Sequence, residues 1–224
     1  MFSIVIPLYN ESQNILNLID EIKLSLKNYK NYEIVLVDDK STDETLKIIG
    51  EIKGHNIKII KNHENKGQSF SIHLGISKSL NKIIITLDGD GQNDPSNISD
   101  MIEIFENGYD MVSGWRKNRK DSSLSRVLPS IIANYIISKI TGVSLHDYGC
   151  TLKAYKKDVI KDIKLYGEMH RFIPIYACWE GAKVTEIEVN HSKRYYGKSK
   201  YGISRIPKVL LDLMVVKFFD KLIS

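Results

Sequence analysis

Residues 82–92 read KIIITLDGDGQ, an apolar run of strand length that ends in two aspartates separated by one glycine. A continuous run of this kind is typical of a strand buried on both faces of a parallel sheet. In extended chain, residues two apart point to the same side, so the carboxylates of Asp88 and Asp90 are expected to converge. Mg²⁺ commonly binds one or two carboxylates and completes its shell with water and phosphate oxygens. The stretch therefore predicts a site for a divalent cation and a diphosphate.

Working outward, the first half of the chain alternates between strand-length apolar runs and segments with helical periodicity. Strands are predicted over residues 2–8, 33–37, 57–61 and 82–87. Helices are predicted over residues 12–28 and 68–80, and a further helix is predicted to begin at residues 41–44. This alternation predicts parallel βαβ units. The expected fold class is α/β, with a Rossmann-like, mostly parallel central sheet flanked by helices.

The second half is mixed. Helices are predicted over residues 97–106 and 124–141, and strands over 109–113 and 183–190. The last predicted element is an amphipathic helix over residues 203–223, in which lysines interrupt a strongly apolar pattern.

Polar residues follow the predicted strands where those strands end. Residues 7–11 (PLYNE) close the first strand, and Asp38-Asp39 close the second. Parallel α/β sheets bind ligands at the carboxyl ends of their strands. Two carboxylates 4 Å apart repel each other by about 4 kcal/mol at an effective dielectric near 20, so this clustering indicates a neutralising cation or a donor-rich ligand.

The composition fits one large domain with a substantial core. The chain has 224 residues, of which 42% are hydrophobic, and a net charge of +5, too small to indicate a nucleic-acid partner. Basic residues crowd two stretches, 116–126 and 193–208, as is typical of sites for phosphates or anionic lipid. The two cysteines lack CxxC spacing, and the sequence shows neither a signal peptide nor a run of about 20 apolar residues. We therefore expect a chain of the reducing cytosol.

Other nucleotide and catalytic motifs are missing. No G-x-G-x-x-G follows the first strand, so a dinucleotide fingerprint is excluded. Gly197-Lys198-Ser199 resembles the end of a P-loop, but Ser192 stands where that motif requires glycine. The six histidines show no metal-ligand spacing, and no nucleophile triad has a local signature.

A set of motifs in a fixed order carries a family resemblance. The segments are IVIPLYNES (4–12), IVLVDDKSTDET (34–45), NKGQSFSIHLGI (65–76), TLDGDGQNDP (86–95), VSGWRKNR (112–119), DYGCTLKAY (147–155), GEMHRFIP (167–174) and RYYGKSKYG (194–202). With them the sequence resembles family 2 glycosyltransferases of the GT-A fold. Within that family it is similar to the branch of dolichyl-phosphate mannosyltransferases and bacterial polyprenyl-phosphate glycosyltransferases. The resemblance covers nearly the whole chain.

The resemblance implies a role for each matched residue. The implied nucleotide-binding residues are Pro7, Tyr9, Glu11, Asp39 and Asp88, and the implied ligands of Mg²⁺ or Mn²⁺ are Asp88, Asp90 and Gln92. The implied catalytic residues are Asp90, Arg116, Arg194 and Lys200. The implied contacts to the acceptor phosphate are Arg126 and Arg194. Arginine offers a forked donor to phosphate oxygens, and lysine offers a point charge, so these types suit the roles.

The implied reaction is the metal-dependent, inverting transfer of a hexose from a nucleotide-diphosphate sugar to a polyprenyl phosphate. A phosphate monoester is already ionised near pH 7 and needs no strong base, whereas a hydroxyl acceptor does. Family 2 enzymes that act on hydroxyls usually place a catalytic Asp where this chain reads Glu168-Met169-His170-Arg171. Two alternatives stay open: a soluble transferase that acts on a glycan hydroxyl, and a nucleotide-sugar-binding module without catalysis.

The resemblance also predicts the organisation of the chain. We expect a catalytic domain over residues 1–202, with a nucleotide-binding half (1–95) and an acceptor half (96–202), followed by a juxtamembrane helix over 203–224. Members of the bacterial branch usually carry membrane helices beyond this point, so the sequence is either truncated or similar to compact members. The expected location is the cytoplasmic face of a membrane, with peripheral attachment. A homo-oligomer is an open possibility, and core packing is the alternative role for the last helix.

Overall fold

The computed structural model describes residues 1–118, 124–160, 163–194, 196 and 211–216, with side chains in the helix 124–141 described from residue 133 onward. The strands are β1 (Phe2–Leu8), β2 (Tyr32–Asp38), β3 (Ile57–Lys61), β4 (Ile83–Thr86), β5 (Met111–Trp115), β6 (Lys153–Lys156) and β7 (Val184–Glu188). The helices are α1 (Ile15–Ser25), α2 (Thr45–Glu51), α3 (Gln68–Lys78), α4 (Asn97–Glu106), α5 (Leu124–Thr141), α6 (Ile173–Trp179) and α7 (residues 211–216), with 3₁₀ turns at Lys157–Ile160 and Met169–Arg171.

The seven strands form one sheet in the order β3-β2-β1-β4-β6-β5-β7. Strands β3, β2, β1 and β4 are parallel to one another, and β5 is parallel to β7. Only β6 runs against the strands beside it. The predicted mostly parallel sheet is therefore confirmed, and its carboxyl edge collects the ends of β1, β2 and β4 side by side.

Hydrophobic residues cover both faces of this sheet. Ile4 and Ile6 of β1 pack in the cluster that includes α1, while Val5 between them packs on the opposite face with Ile72 of α3. Helix α3 can lie close to that face because Gly75 has no side chain: a Cβ at this position would lie only 2.4 Å from Val5 Cγ1. Burial on both faces explains why the strands read as continuous apolar runs.

The sequence did not predict β6 or α6. Strand β6 has four residues with a lysine at each end, so it offers no apolar run, and its antiparallel pairing with β4 comes from distant chain. Helix α6 (IPIYACW) is mostly apolar and, with seven residues, as long as β1 and β2, so neither length nor periodicity separates helix from strand here.

One side of helix α7 packs on the second half of the chain. Leu213 and Val216 are buried in a cluster with Phe172 and Ile175, while Leu211 and Met214 are 62% and 69% exposed. The predicted helix over 203–223 is described only for residues 211–216, where it is confirmed. Within the described parts of the chain, no helix has the length and apolar character that crossing a membrane requires.

Candidate functional site

The loops that follow β1 and β2 are fastened to each other. The amide of Asp39 donates to the carbonyl of Leu8, the amide of Asn10 donates to Oγ of Ser41, and the side chain of Asn10 exchanges hydrogen bonds with Thr42. Asn10 has a φ of 53°, a left-handed conformation that asparagine tolerates better than most residues. These bonds hold the predicted nucleotide-binding residues of two strand ends in one place.

Asp39 is buried and organises the start of α3. Its carboxylate accepts hydrogen bonds from the amides of Lys66 and Gly67 at 2.9 and 2.8 Å and from Nδ2 of Asn62 at 2.7 Å. These bonds satisfy amides that the helix itself leaves without partners. Asp39 therefore anchors the loop before α3, and its predicted contact with the nucleotide stays a prediction.

The ends of β1 and β4 meet closely. A Cβ on Gly89 would lie 2.5 Å from Leu8 Cδ2, 3.4 Å from the carbonyl oxygen of Pro7 and 3.5 Å from Cγ of Glu11. Glu11 is buried, and its carboxylate accepts a hydrogen bond from Asn14. Glycine at position 89 is thus what lets the aspartate pair approach Pro7 and Glu11. Tyr9 is half-buried in the same loop.

The extended geometry predicted for Asp88-Gly89-Asp90 is wrong. The strand ends at Thr86, the chain turns at residues 89 and 90, and Gly91 has a φ of 72°. Aspartate and glycine favour such turns because glycine reaches positive φ without steric cost. The pair remains at the carboxyl edge of β4, but a turn and not strand periodicity sets the directions of its side chains.

Gln68, which the sequence analysis did not single out, joins the two halves at Asp88. Its side-chain amide donates to Oδ1 of Asp88 at 2.7 Å and lies 3.5 Å from Oγ1 of Thr151. Gln68 is the first residue of α3, directly after the loop that follows β3. Because Gln68 follows the loop at the carboxyl end of β3, the sequence pattern alone could have indicated it as a site residue.

Arg194 reaches Asp90 because the chain around it pairs with the aspartate turn. Asn93 and His191 form an antiparallel bridge, and the amide of Ser192 donates to the carbonyl of Gln92 at 2.8 Å. The guanidinium of Arg194 then contacts Oδ2 of Asp90. The side chain of Gln92 lies 3.4 Å from the carbonyl of Ser192, so it helps to hold the same segment. The structure thus brings Asp90, Gln92 and Arg194 together.

Arg116 is held in place at the end of β5. Its Nε and Nη2 donate to the two carboxylate oxygens of Asp147 at 2.7 and 3.0 Å, a bidentate pair in which both side chains are largely buried. Bidentate pairs are strong and fix the plane of the guanidinium. Asp147 belongs to the motif DYGCTLKAY, but the motif alone does not predict this pairing with Arg116.

Lys153, a residue of the same motif, holds the loop 147–151. It is fully buried, and its ammonium donates to the carbonyls of Tyr148, at 3.2 Å, and Cys150. Burial lowers the pKa of Lys153 to about 8, against the effect of nearby Asp147. Burial also raises the pKa of the Cys150 thiol to about 11, so that this cysteine is an inert part of the core. The loop 147–151 is therefore shaped by a buried cation.

Two predicted phosphate contacts stand outside the described part of the structure. Arg126 lies in α5, whose side chains at that position are not described, and Lys200 lies outside the described residues altogether. Their roles stay predictions.

The donor set at the acidic edge fits a divalent cation that takes further ligands from a substrate. Carboxylate oxygens suit Mg²⁺ and Mn²⁺. Across the described residues, no group of three His, Cys, Asp or Glu side chains is arranged to hold a metal without such help. The contact between Asp90 and Arg194 shows that this carboxylate accepts a positive charge.

Two curated proteins are similar to this chain in sequence. The chain is 44% identical over 225 residues to a dodecaprenyl-phosphate galacturonate synthase of Rhizobium johnstonii, and 39% identical over 217 residues to an undecaprenyl-phosphate 4-deoxy-4-formamido-L-arabinose transferase of Shewanella sediminis. The matches cover 97% and 95% of this chain. The chain spans 66% and 65% of the length of these relatives, slightly less than two thirds.

Solved structures confirm the predicted GT-A fold. A glucosyl-3-phosphoglycerate synthase from Mycobacterium tuberculosis with Mn²⁺ and UDP-glucose matches with a TM-score of 0.73 at 12% identity, over 97% of this chain and 78% of that one. TarS 1–349 of S. aureus in complex with UDP-GlcNAc matches with a TM-score of 0.65 at 18% identity, over 96% and 65%. The profile of glycosyl transferase family 2 matches residues 3–164. On this match and on the identity to its curated relatives, the chain belongs to glycosyl transferase family 2.

Proposed function

We propose that this chain transfers a sugar from a nucleotide-diphosphate sugar to a polyprenyl phosphate, with Mg²⁺ or Mn²⁺ as cofactor. One observation carries the proposal. The acidic edge at Asp88 and Asp90 lies beside the cationic wall, formed by Arg116 and Lys153 around the loop 147–151. The side chain of Gln68 contacts both Asp88 and Thr151 and so joins the two. A metal-bound diphosphate suits the acidic edge, and a phosphate nucleophile suits the cationic wall. The names of the two curated relatives describe sugar transfer onto prenyl phosphates of this kind.

The donor is assigned to the ends of β1, β2 and β4. Pro7, Tyr9, Glu11 and Asp39 would hold the base and ribose, and Asp88 would lie at the diphosphate. Support comes from the hydrogen bonds that fasten these loops together and from two fold relatives solved with a uridine nucleotide sugar. The base and the sugar depend on the pocket shape, so GDP-mannose, UDP-glucose and UDP-N-acetylhexosamines are all candidate donors.

The acceptor is assigned to the cationic wall because a phosphate needs no general base. Glu168, the carboxylate nearest in sequence to the base of hydroxyl-acting relatives, accepts a hydrogen bond from Nε of Arg171 at 3.0 Å and is largely buried. This carboxylate is engaged by a guanidinium, and a phosphate acceptor needs no carboxylate base, which favours the phosphate over a glycan hydroxyl.

The proposed mechanism is a single displacement with inversion. Asp88 and Asp90, with Gln92, would hold the cation, which stabilises negative charge on the departing diphosphate when bound. Arg116, fixed by Asp147, would orient a phosphate oxygen, with Arg126 contributing to the acceptor phosphate. Arg194 would turn from Asp90 to the phosphates, and Lys200 would add charge there. Positioning and charge stabilisation then supply the catalysis.

The membrane surface is the proposed place of reaction, because a polyprenyl acceptor resides there. Leu211 and Met214 on the outer side of α7 offer apolar contacts to lipid. Flotation with anionic liposomes tests this: L211Q/M214Q should reduce binding, whereas L24Q/L80Q, at two exposed leucines on other elements, should not. Equal flotation of both double variants would assign α7 to core packing alone.

The reaction itself is tested with a panel of nucleotide sugars, Mg²⁺ or Mn²⁺, and farnesyl phosphate as a short acceptor. Product mass identifies the donor and acceptor together. Transfer to a sugar hydroxyl instead of the phosphate would support the soluble-transferase alternative. Binding of donor and metal without turnover of any pair would support the non-catalytic module.

A further inference from the structure

Two guanidinium groups converge on one glycine in the acceptor half. A Cβ built on Gly149 would lie 2.6 Å from Nη1 of Arg171 and 3.3 Å from Nη2 of Arg116. Because both nitrogens lie this close to one point, they are within about 6 Å of each other. Two positive groups at this separation repel, so the surroundings must compensate for them.

Each guanidinium is hydrogen-bonded to a different carboxylate. Asp147 binds Arg116 through both oxygens, and Glu168 binds Nε of Arg171 at 3.0 Å. The two arginines come from distant parts of the chain, the end of β5 and the 3₁₀ turn Met169–Arg171. Their meeting at Gly149 is therefore a product of the fold and not of a local charge run.

A third cation makes the positive charge of this cluster exceed the negative. The ammonium of Lys153 lies under the same loop and interacts electrostatically with both arginines and with Asp147. Among the described residues, three cations thus face two carboxylates, Asp147 and Glu168, around residues 147–151, and the carboxylate of Asp212 is engaged by the amide of Glu168. A surplus of positive charge in half-buried surroundings favours a bound anion.

We propose that Arg171 is a second substrate-binding arginine, which grips an oxyanion of the substrate opposite Arg116 across Gly149. The inference rests on the proposed function. The oxyanion is a phosphate monoester if it belongs to the acceptor and a carboxylate if it belongs to a uronic-acid donor, since a forked guanidinium binds both. Glycine is needed at position 149 because a side chain there would occupy the space of the Arg171 guanidinium.

The test compares R171Q and R171K with G149A. Gly149 has no positive φ, so alanine fits its backbone; the added Cβ displaces mainly the end of the Arg171 side chain, at 2.6 Å, and meets Nη2 of Arg116 less closely, at 3.3 Å. G149A thus moves the guanidinium without changing any charge. G50A is the matched control, because the Cβ it adds in α2 meets nothing within 4 Å. The measured quantities are kcat and separate KM values for farnesyl phosphate, for a nucleotide-activated uronic acid and for the corresponding neutral hexose.

We expect R171Q to raise the KM of one anionic substrate about tenfold or more, with G149A and R171K between R171Q and wild type, and G50A unchanged. A rise confined to farnesyl phosphate identifies the acceptor as the source, and a rise confined to the uronic-acid donor identifies the sugar carboxylate. KM values within about twofold of wild type for both R171Q and G149A would refute the proposal.

A second readout keeps this test separate from that of the proposed function. If no donor and acceptor pair yields product, calorimetry with farnesyl phosphate, with free glucuronate and with the neutral control farnesol still measures the subsite. Weaker binding of one anion to R171Q, with farnesol unaffected, supports the subsite even when transfer fails. Equal binding of both anions to wild type and R171Q overturns it.

Discussion

The two halves of the molecule present opposite charges to the same edge of the sheet. In the first half, the ends of β2 and β4 carry Asp38, Asp39, Asp88 and Asp90. In the second half, Arg116, Lys153 and Arg171 gather around the loop 147–151. The contacts of Gln68 with Asp88 and of Arg194 with Asp90 lie where the halves meet. An acidic side suits a metal-bound leaving group, and a basic side suits an anionic nucleophile.

The two sides also differ in how the sequence specifies them. The acidic side uses residues that directly follow parallel strands, so short sequence motifs specify it. The basic side uses pairs that are far apart in sequence, such as Arg116 with Asp147 and Thr86 with the carbonyl of Thr151. Variants that remove one side or the link between them test whether this division has functional meaning.

The largest effect is expected from Asp90→Asn on the acidic side. The amide keeps the shape but removes the charge that the cation and Arg194 require, so turnover should fall about 10³-fold with the fold intact. Initial rates at saturating metal and circular dichroism check this, with the exposed Asp100→Asn as control. Wild-type turnover at saturating Mn²⁺ would remove Asp90 from the site.

Arg194→Ala breaks the link between the sides. Transfer should fall on the order of 10² fold, because a phosphate-binding fork is lost. Binding of Mn²⁺ to the free protein should stay the same or tighten, because Arg194 no longer competes for Asp90. Rates and Mn²⁺ titrations separate these effects, and the exposed neighbour Lys193→Ala is the matched control. Unchanged kinetics would exclude the segment from the mechanism.

Asp39→Asn tests the structural part of the acidic side. One carboxylate oxygen becomes an amide that faces backbone donors at Lys66 and Gly67, so the free energy of unfolding should drop by about 2 kcal/mol. Urea unfolding measures the change, and the exposed Asp20→Asn in α1 should be nearly neutral. A loss of nucleotide binding at full stability would contradict the anchoring role of Asp39.

The smallest effect concerns Lys153 on the basic side. Its folded pKa of about 8 lies below the ordinary value of 10.5, so the unfolded chain binds more protons between these values. Wild-type stability should therefore rise relative to Lys153→Met as pH increases from 7 to 10, by on the order of 1 to 2 kcal/mol. Urea unfolding of both proteins across this range provides the measurement. A constant difference in stability would show that the ammonium is not penalised by burial.

The same division explains how much could be predicted. The strands β1 to β4 and the positions of Asp39, Asp88 and Asp90 followed from apolar runs and their polar ends. The turn at Gly89-Asp90 and the bidentate pair of Arg116 with Asp147 did not, because the first depends on local packing against Leu8 and the second on chain 31 residues away. Lys153 reads as a surface lysine, since only its tertiary surroundings show that it is buried.

The contact between Asp212 and the turn before Arg171 has a mechanical consequence. The amide of Glu168 donates to Oδ2 of Asp212 at 2.7 Å, and a Cβ on Gly167, whose φ is 53°, would collide with the same carboxylate. Only glycine satisfies both restraints at that position. Helix α7 is consequently attached to the turn that carries Arg171 twice, by this hydrogen bond and by the packing of Leu213 and Val216 with Phe172.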